Sequence, residues 1–142
     1  YAMIGVVVRV DHLGLDVSKQ AGASGDGERG RFPKGMGREI MSSGAPAEFT
    51  QHARNPDRSV RIGGDHTVLV PAYGSPFVHD LDKGRRYATL GDFENFTRLA
   101  YMSPSLHHSG GTLCEPVDLP VNKRHLDMIY SHLRWSDKPF MC

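Results

Sequence analysis

The chain has 142 residues, enough for one ordinary domain and too few for an intact TIM barrel, which needs about 250. A formal net charge of +1, with 39% hydrophobic and 23% charged residues, suits a soluble globular domain and gives no global field to draw in nucleic acid or an anionic membrane. Two cysteines, Cys114 and Cys142, make no disulfide framework and point to a reducing, cytoplasmic setting, while the longest apolar run, residues 2–8, is far below the roughly 18 residues of a membrane helix and lacks the flanks of a signal peptide.

Residues 18–37 are the loosest stretch, rich in Gly and otherwise mostly polar. Asp26-Gly27 is a turn signal between short polar segments and predicts a weak hairpin. A short helix is expected over 34–42, ended near Gly44 and Pro46. The next region alternates like a sheet. Strands are expected at 49–54, 59–62 and 67–70, separated by Asn55-Pro56-Asp57 and by Gly63-Gly64-Asp65. This spacing predicts an antiparallel meander, with a further arm at 77–80 leading to Lys83-Gly84.

The pattern then changes period. Thr89 is a good N-cap, with Asp92 in capping-box position, and Phe93, Phe96 and Ala100 continue a helical stripe that Ser103-Pro104 ends. Residues 106–111 read as a short, unusually polar strand. A second helix is expected from near Asp118 and Pro120, with Leu126, Ile129, Tyr130 and Leu133 on one face. Asp137-Lys138-Pro139-Phe140 reads as the entrance to another strand. Helix, strand, helix, strand with short links is the rhythm of a parallel sheet. With Tyr1 in place of a start methionine, both ends read as cut.

Gly25-Asp26-Gly27-Glu28-Arg29-Gly30 matches G-x-G-x-x-G literally but has no hydrophobic strand before it and no helix after it, so it reads as a plain turn. Asn95-Phe96-Thr97 has the pattern of a glycosylation sequon, but inside a helix of a cytoplasmic protein it is set aside. His107, His108, Cys114 and Glu115 suggest a metal site, yet adjacent strand residues point to opposite faces and no metal-binding motif supports it. Buried parallel strands are runs of Val, Ile and Leu, whereas Leu106-His107-His108-Ser109-Gly110-Gly111 is polar and small. Polar groups in such a strand need partners or serve a site. Residues 109–118 then hold the candidate chemistry, with Glu115 and Asp118 as its acidic groups, Asp118 reading first as a helix cap. Tyr73, in the loop Tyr73-Gly74-Ser75-Pro76-Phe77, is either part of a rigid packing turn or an aromatic contact for a cationic ligand.

Five ordered segments carry a resemblance: Pro71-Ala72-Tyr73-Gly74-Ser75-Pro76-Phe77-Val78, Thr89-Leu90-Gly91-Asp92-Phe93-Glu94-Asn95-Phe96, Glu115-Pro116-Val117-Asp118-Leu119-Pro120, His125-Leu126-Asp127-Met128 and Ser136-Asp137-Lys138-Pro139-Phe140. Upstream, Asp26-Gly27-Glu28-Arg29 with Arg31-Phe32-Pro33, and His52-Ala53-Arg54-Asn55-Pro56, extend it, although Gly30 stands where members carry an apolar residue. The chain resembles the N-terminal part of the trimethylamine methyltransferase family. The resemblance implies an α/β fold: a partial TIM (β/α)8 barrel, its first βα units at 89–142, preceded by an N-terminal α+β extension with short antiparallel strands at 1–88.

It also implies methyl transfer from trimethylamine, or from a quaternary amine such as glycine betaine, to the cobalt of a cognate corrinoid protein. No cofactor is then bound directly and no metal is held; the corrinoid (cobalamin) is carried by the partner. Some members carry pyrrolysine, at a position that would lie beyond Cys142. In this reading Glu115 is the preferred catalytic residue and His108 the second, with Tyr73, Ser109, Gly110, Gly111 and Asp118 lining the substrate. Homo-oligomerisation stays open. The alternatives are a non-catalytic fragment or binding module, and a metal-dependent hydrolase using His108 and Glu115.

Overall fold

The computed structural model describes residues 8–9, 11–26 and 29–141. Most of the apolar run at 2–8, the Gly27-Glu28 tip of the expected hairpin and Cys142 lie outside the described residues. Among the described residues the architecture is mixed α/β, with four helices and short antiparallel strand pairs, and the chain divides into two compact units, 1–46 and 47–142. Among the described residues no helix is long and apolar enough to cross a membrane.

In the first unit a three-stranded sheet runs in the order β1 (Val8–Arg9), β3 (Arg29–Arg31), β2 (Ser24–Asp26). The expected hairpin is its β2–β3 pair, with Asp26 opposite Arg29. Helix α1 (His12–Gln20) is absent from the sequence reading. Its start signal was nonetheless present, because the Asp11 carboxylate accepts the Gly14 N–H at 2.7 Å as an N-cap. Leu15 is its one buried residue. Helix α2 (Met36–Gly44) forms two residues later than expected, behind Gly35 in the left-handed region.

The second unit opens with β4 (Glu48–Gln51) antiparallel to β5 (Val60–Gly63), across a 3-10 turn at Pro56–Arg58. The meander stops there, and the third strand expected at 67–70 does not form. After an isolated bridge from Gly63 to His66 the chain turns to a distant partner, the Leu69 carbonyl accepting the His107 N–H at 3.0 Å. Strands β6 (Phe77–Asp80) and β7 (Gly84–Tyr87) form a separate hairpin. It is anchored to the next helix by Arg86, whose two terminal nitrogens reach the Asp92 carboxylate at 2.6 and 2.7 Å.

Helix α3 (Leu90–Met102) carries the expected capping box, with Thr89 and Asp92 each bonded to the other's backbone N–H. The Arg86 guanidinium beside Asp92 holds its carboxyl well below the usual carboxylate range. The far end of α3 is closed by Lys138, whose ammonium donates to the Ala100 and Ser103 carbonyls at 2.8 and 2.9 Å. Helix α4 (Val121–Trp135) forms over the expected span, but its buried face is not the apolar stripe read from the sequence. Met128, Ser131 and His132 are buried, while Leu126, Tyr130 and Leu133 are exposed. The helix turns its small and polar side inward, where His132 donates to the Gly111 carbonyl.

Residues 106–111, expected as a strand, do not form one: the chain bends at His107, His108 and Gly111, and Gly110 has a positive φ. They still make two rungs with the segment beyond α4: Ser109 N–H donates to the Pro139 carbonyl, and Met141 N–H to the Gly110 carbonyl, both at 2.9 Å. Both segments advance in the same direction, so this short ladder is parallel, with α4 as its crossover. Val78, Ala88, Phe93, Leu113, Cys114 and Met128 make the core beneath it.

Candidate functional site

The loop at 109–118 is held against the 71–76 segment by backbone rungs. Gly74 N–H donates to the Thr112 carbonyl at 2.8 Å, and Glu115 N–H donates to the Ser75 carbonyl at 2.9 Å. Two stretches about 40 positions apart, each singled out for its chemistry, thus lie side by side. Tyr73 is 54% exposed at this junction. Val117 N–H adds a rung to the Ala88 carbonyl at 3.0 Å.

Gly110 and Gly111 are required for different reasons. Gly110 has φ +89°, and a Cβ there would stand 2.8 Å from both Pro71 Cγ and Leu113 Cδ2. A Cβ on Gly111 would meet the Met141 carbonyl oxygen at 2.4 Å, inside the parallel ladder. Ser109 is buried, and its hydroxyl pairs with that of Ser136. It therefore braces the loop from beneath instead of facing solvent.

Glu115 and Asp118 divide the acidic work. The Glu115 side chain is 47% exposed and its Oε1 pairs with Arg124, on the first turns of α4. Arg124 is largely buried and also donates to the Leu119 carbonyl, so the cation is fixed and the carboxylate is the more accessible partner. Asp118 accepts the Leu90 N–H at 3.0 Å. It is a helix cap, but of α3 and not of the helix that follows it, since α4 starts behind Pro120 with no side-chain cap.

His108 is fully buried and both of its ring nitrogens are engaged. Nδ1 accepts the Gly110 N–H at 2.8 Å, and Nε2 lies 3.1 Å from Gln51 Oε1. Gln51 in turn donates its amide to the Phe140 carbonyl. His107 is exposed, and its Nδ1 accepts the Leu69 N–H. Among the described residues no three His, Cys, Asp or Glu side chains come together as a metal site. Cys114 is buried and uncrosslinked, and burial, reinforced by the Asp92 carboxylate, pushes its thiol up to about 12.

Four residues the sequence reading passed over complete the neighbourhood: Gln51, Arg124, His132 and Lys138. His132 is fully buried, donates through Nε2 to the Gly111 carbonyl at 2.9 Å, and stacks on Phe140 with ring centroids 4.9 Å apart. None has a local signature. A histidine or lysine on a helix or before a proline is ordinarily a solvated surface residue, and only the fold makes these internal.

Comparison with known proteins adds what geometry alone does not. The sequence model described as trimethylamine methyltransferase matches residues 2–142. The chain is 48% identical over 127 residues to the glycine betaine methyltransferase of Desulfitobacterium hafniense (strain Y51). That match covers 89% of this chain and 26% of the relative, so the chain spans about a quarter of the length of the protein it matches.

Proposed function

Because the chain belongs to the trimethylamine methyltransferase family, we propose that it forms part of an enzyme moving a methyl group from a small methylated amine to the cobalt of a corrinoid carried by a partner protein. The observation that carries this reading is the family match over residues 2–142. Identity of 48% to a glycine betaine methyltransferase makes a quaternary amine, glycine betaine itself, the first substrate to test.

The partner's reduced corrinoid would supply the nucleophile. The C–N bond of the substrate breaks, its electron pair stays on nitrogen, and the amine leaves one methyl poorer. Such a nitrogen is a workable leaving group only when it already bears positive charge. The protein must hold a cation, keep water away and aim one methyl group outward. The paired loops at 71–76 and 109–118 suit one wall of that pocket. The Tyr73 ring offers a face to the cation, a contact of about 0.5–2 kcal/mol. Glu115 offers Oε2, its Oε1 being taken by Arg124. Ser109, Gly110, Gly111 and Asp118 shape the wall by fixing its backbone. His108 supports it from beneath. In the complete protein these residues would sit at the opening of the TIM barrel that the family resemblance implies.

The test uses the full-length protein with a reduced corrinoid protein and either glycine betaine or trimethylamine. Demethylation that requires the corrinoid protein is expected, and turnover with S-adenosylmethionine as the sole methyl partner would overturn the proposal. Glu115→Gln should lower the rate about tenfold, or about 1.4 kcal/mol of barrier, with little change in stability. Unchanged kinetics would return Glu115 to a purely structural role with Arg124.

A further inference from the structure

The Gly110-Gly111 backbone is gripped from two sides by buried imidazoles. On one side His108 Nδ1 takes the Gly110 N–H, and on the other His132 Nε2 meets the Gly111 carbonyl. Both rings are fully buried. The hydrogen bonds leave no freedom in the protonation state of His108. Nδ1 must be bare to accept an N–H. Nε2 must carry the proton, because the Gln51 amide nitrogen donates to the Phe140 carbonyl, which turns the Gln51 oxygen to the ring. His132 likewise must carry its proton on Nε2 to reach a carbonyl. Its Nδ1 is buried without a partner, and the ring stands nearly perpendicular to Phe93 and stacks on Phe140.

A second proton fits neither ring. On His108 it would stand on Nδ1, pointing at the Gly110 N–H. On His132 it would stand on Nδ1, which is buried with no acceptor. The groups facing the pair add no counter-charge. From β4 there is the neutral Gln51, from the segment after α4 the Phe140 carbonyl and ring, from α3 the ring of Phe93, and the one charge that acts on His108 is that of His132. Burial lowers the pKa of both rings; His132 adds to the effect on His108, while the Gly111 carbonyl partly offsets it for His132.

We propose that His108 and His132 act as a neutral two-ring clamp that positions the 109–118 loop and releases it when protonated. They are positioning residues, acting through the Gly110-Gly111 backbone. The functional part of this inference rests on reading that loop as a wall of the substrate site; the clamp itself does not.

The sign follows from the depressed pKa values. The clamp's contribution is complete above the ordinary histidine pKa of about 6.5 and is lost as pH falls below it. At pH 5 each released ring would favour the open loop by up to about 30-fold. Hydrogen exchange of the full-length protein, read on peptides covering 107–114 and corrected for the intrinsic pH dependence of exchange, tests this without any substrate. Protection there should fall at least tenfold between pH 7.5 and pH 5, while α3 keeps its protection. His108→Asn, which keeps an acceptor for Gly110 and cannot titrate, and His132→Gln, which keeps a donor for Gly111, should each flatten that dependence. Unchanged wild-type protection, or an equal loss across α3, overturns the clamp, and wild type decides alone if a variant does not fold. Failure of methyl transfer with intact pH-dependent protection would count against the functional reading and leave the clamp standing.

Discussion

Replacing Lys138 by Met removes one ammonium and keeps most of the side chain's bulk. Lys138 is 3% exposed, and its ammonium donates to the Ala100 and Ser103 carbonyls, at the end of α3. Hydrogen bonds from a charged donor contribute about 1.5–3 kcal/mol each, and a cation at a helix C-terminus adds about 0.3–1 kcal/mol. Three effects reduce the sum. Ser103 is only half-buried, so water can replace its lost donor. Methionine also relieves the cost of burying a charge, the same burial that lowers the Lys138 pKa, and an apolar chain suits the site. The expected net loss is about 2–3 kcal/mol, from the two carbonyls left short of donors. Trp135, the single tryptophan, stacks under the Arg98 guanidinium at 3.6 Å and reports unfolding of this unit by fluorescence. In urea the midpoint should fall by roughly 1–2 M at unchanged slope. A shift below about 0.5 kcal/mol would show that Lys138 closes α3 in geometry only. Because its folded pKa is depressed, Lys138 should also make wild type gain stability as pH rises toward about 10.5, a gain the variant lacks.

Gly111→Ala should cost roughly 1–3 kcal/mol, since its Cβ cannot share space with the Met141 carbonyl oxygen and the parallel ladder must open; a variant with wild-type urea stability would show that the ladder is slack. Asp92→Asn should destabilise the β6–β7 hairpin and the start of α3 by about 1–3 kcal/mol at neutral pH. As the Asp92 pKa is depressed, its contribution is present above about pH 4 and drains as pH falls further, so the variant's acid denaturation should be shallower. Parallel acid profiles would place that dependence elsewhere.

What the sequence made legible was local. Thr89 and Asp92 stand three apart, so their capping box could be read directly, and Pro120 and Ser136 bracketed α4. The strand expected at 67–70 failed because its partner, His107, lies 38 positions away and pairs by single rungs. The inward face of α4 was misread because hydropathy favours Leu126 and Leu133, whereas the fold buries Ser131 and His132. Around the site, the oddity of Ser109, Gly110 and Gly111 was visible as composition. The side chains that explain it, Gln51, His132 and Ser136, reach in from 21 to 57 positions away, and no pattern along the chain encodes such meetings.

The rungs along the 109–118 loop also limit how this part of the molecule can diversify. Thr112, Glu115, Val117 and Asp118 are tied in turn to Gly74, Ser75, Ala88 and Leu90. Inserting or deleting one residue between any two of them would throw the later ties out of register and uncap α3. Surface loops usually tolerate changes of length; this one is gauged at both ends like a part cut to size. New ligand preferences at this wall would therefore come from exchanging side chains on a fixed backbone, with Tyr73, more than half exposed, as the place where such exchanges disturb least.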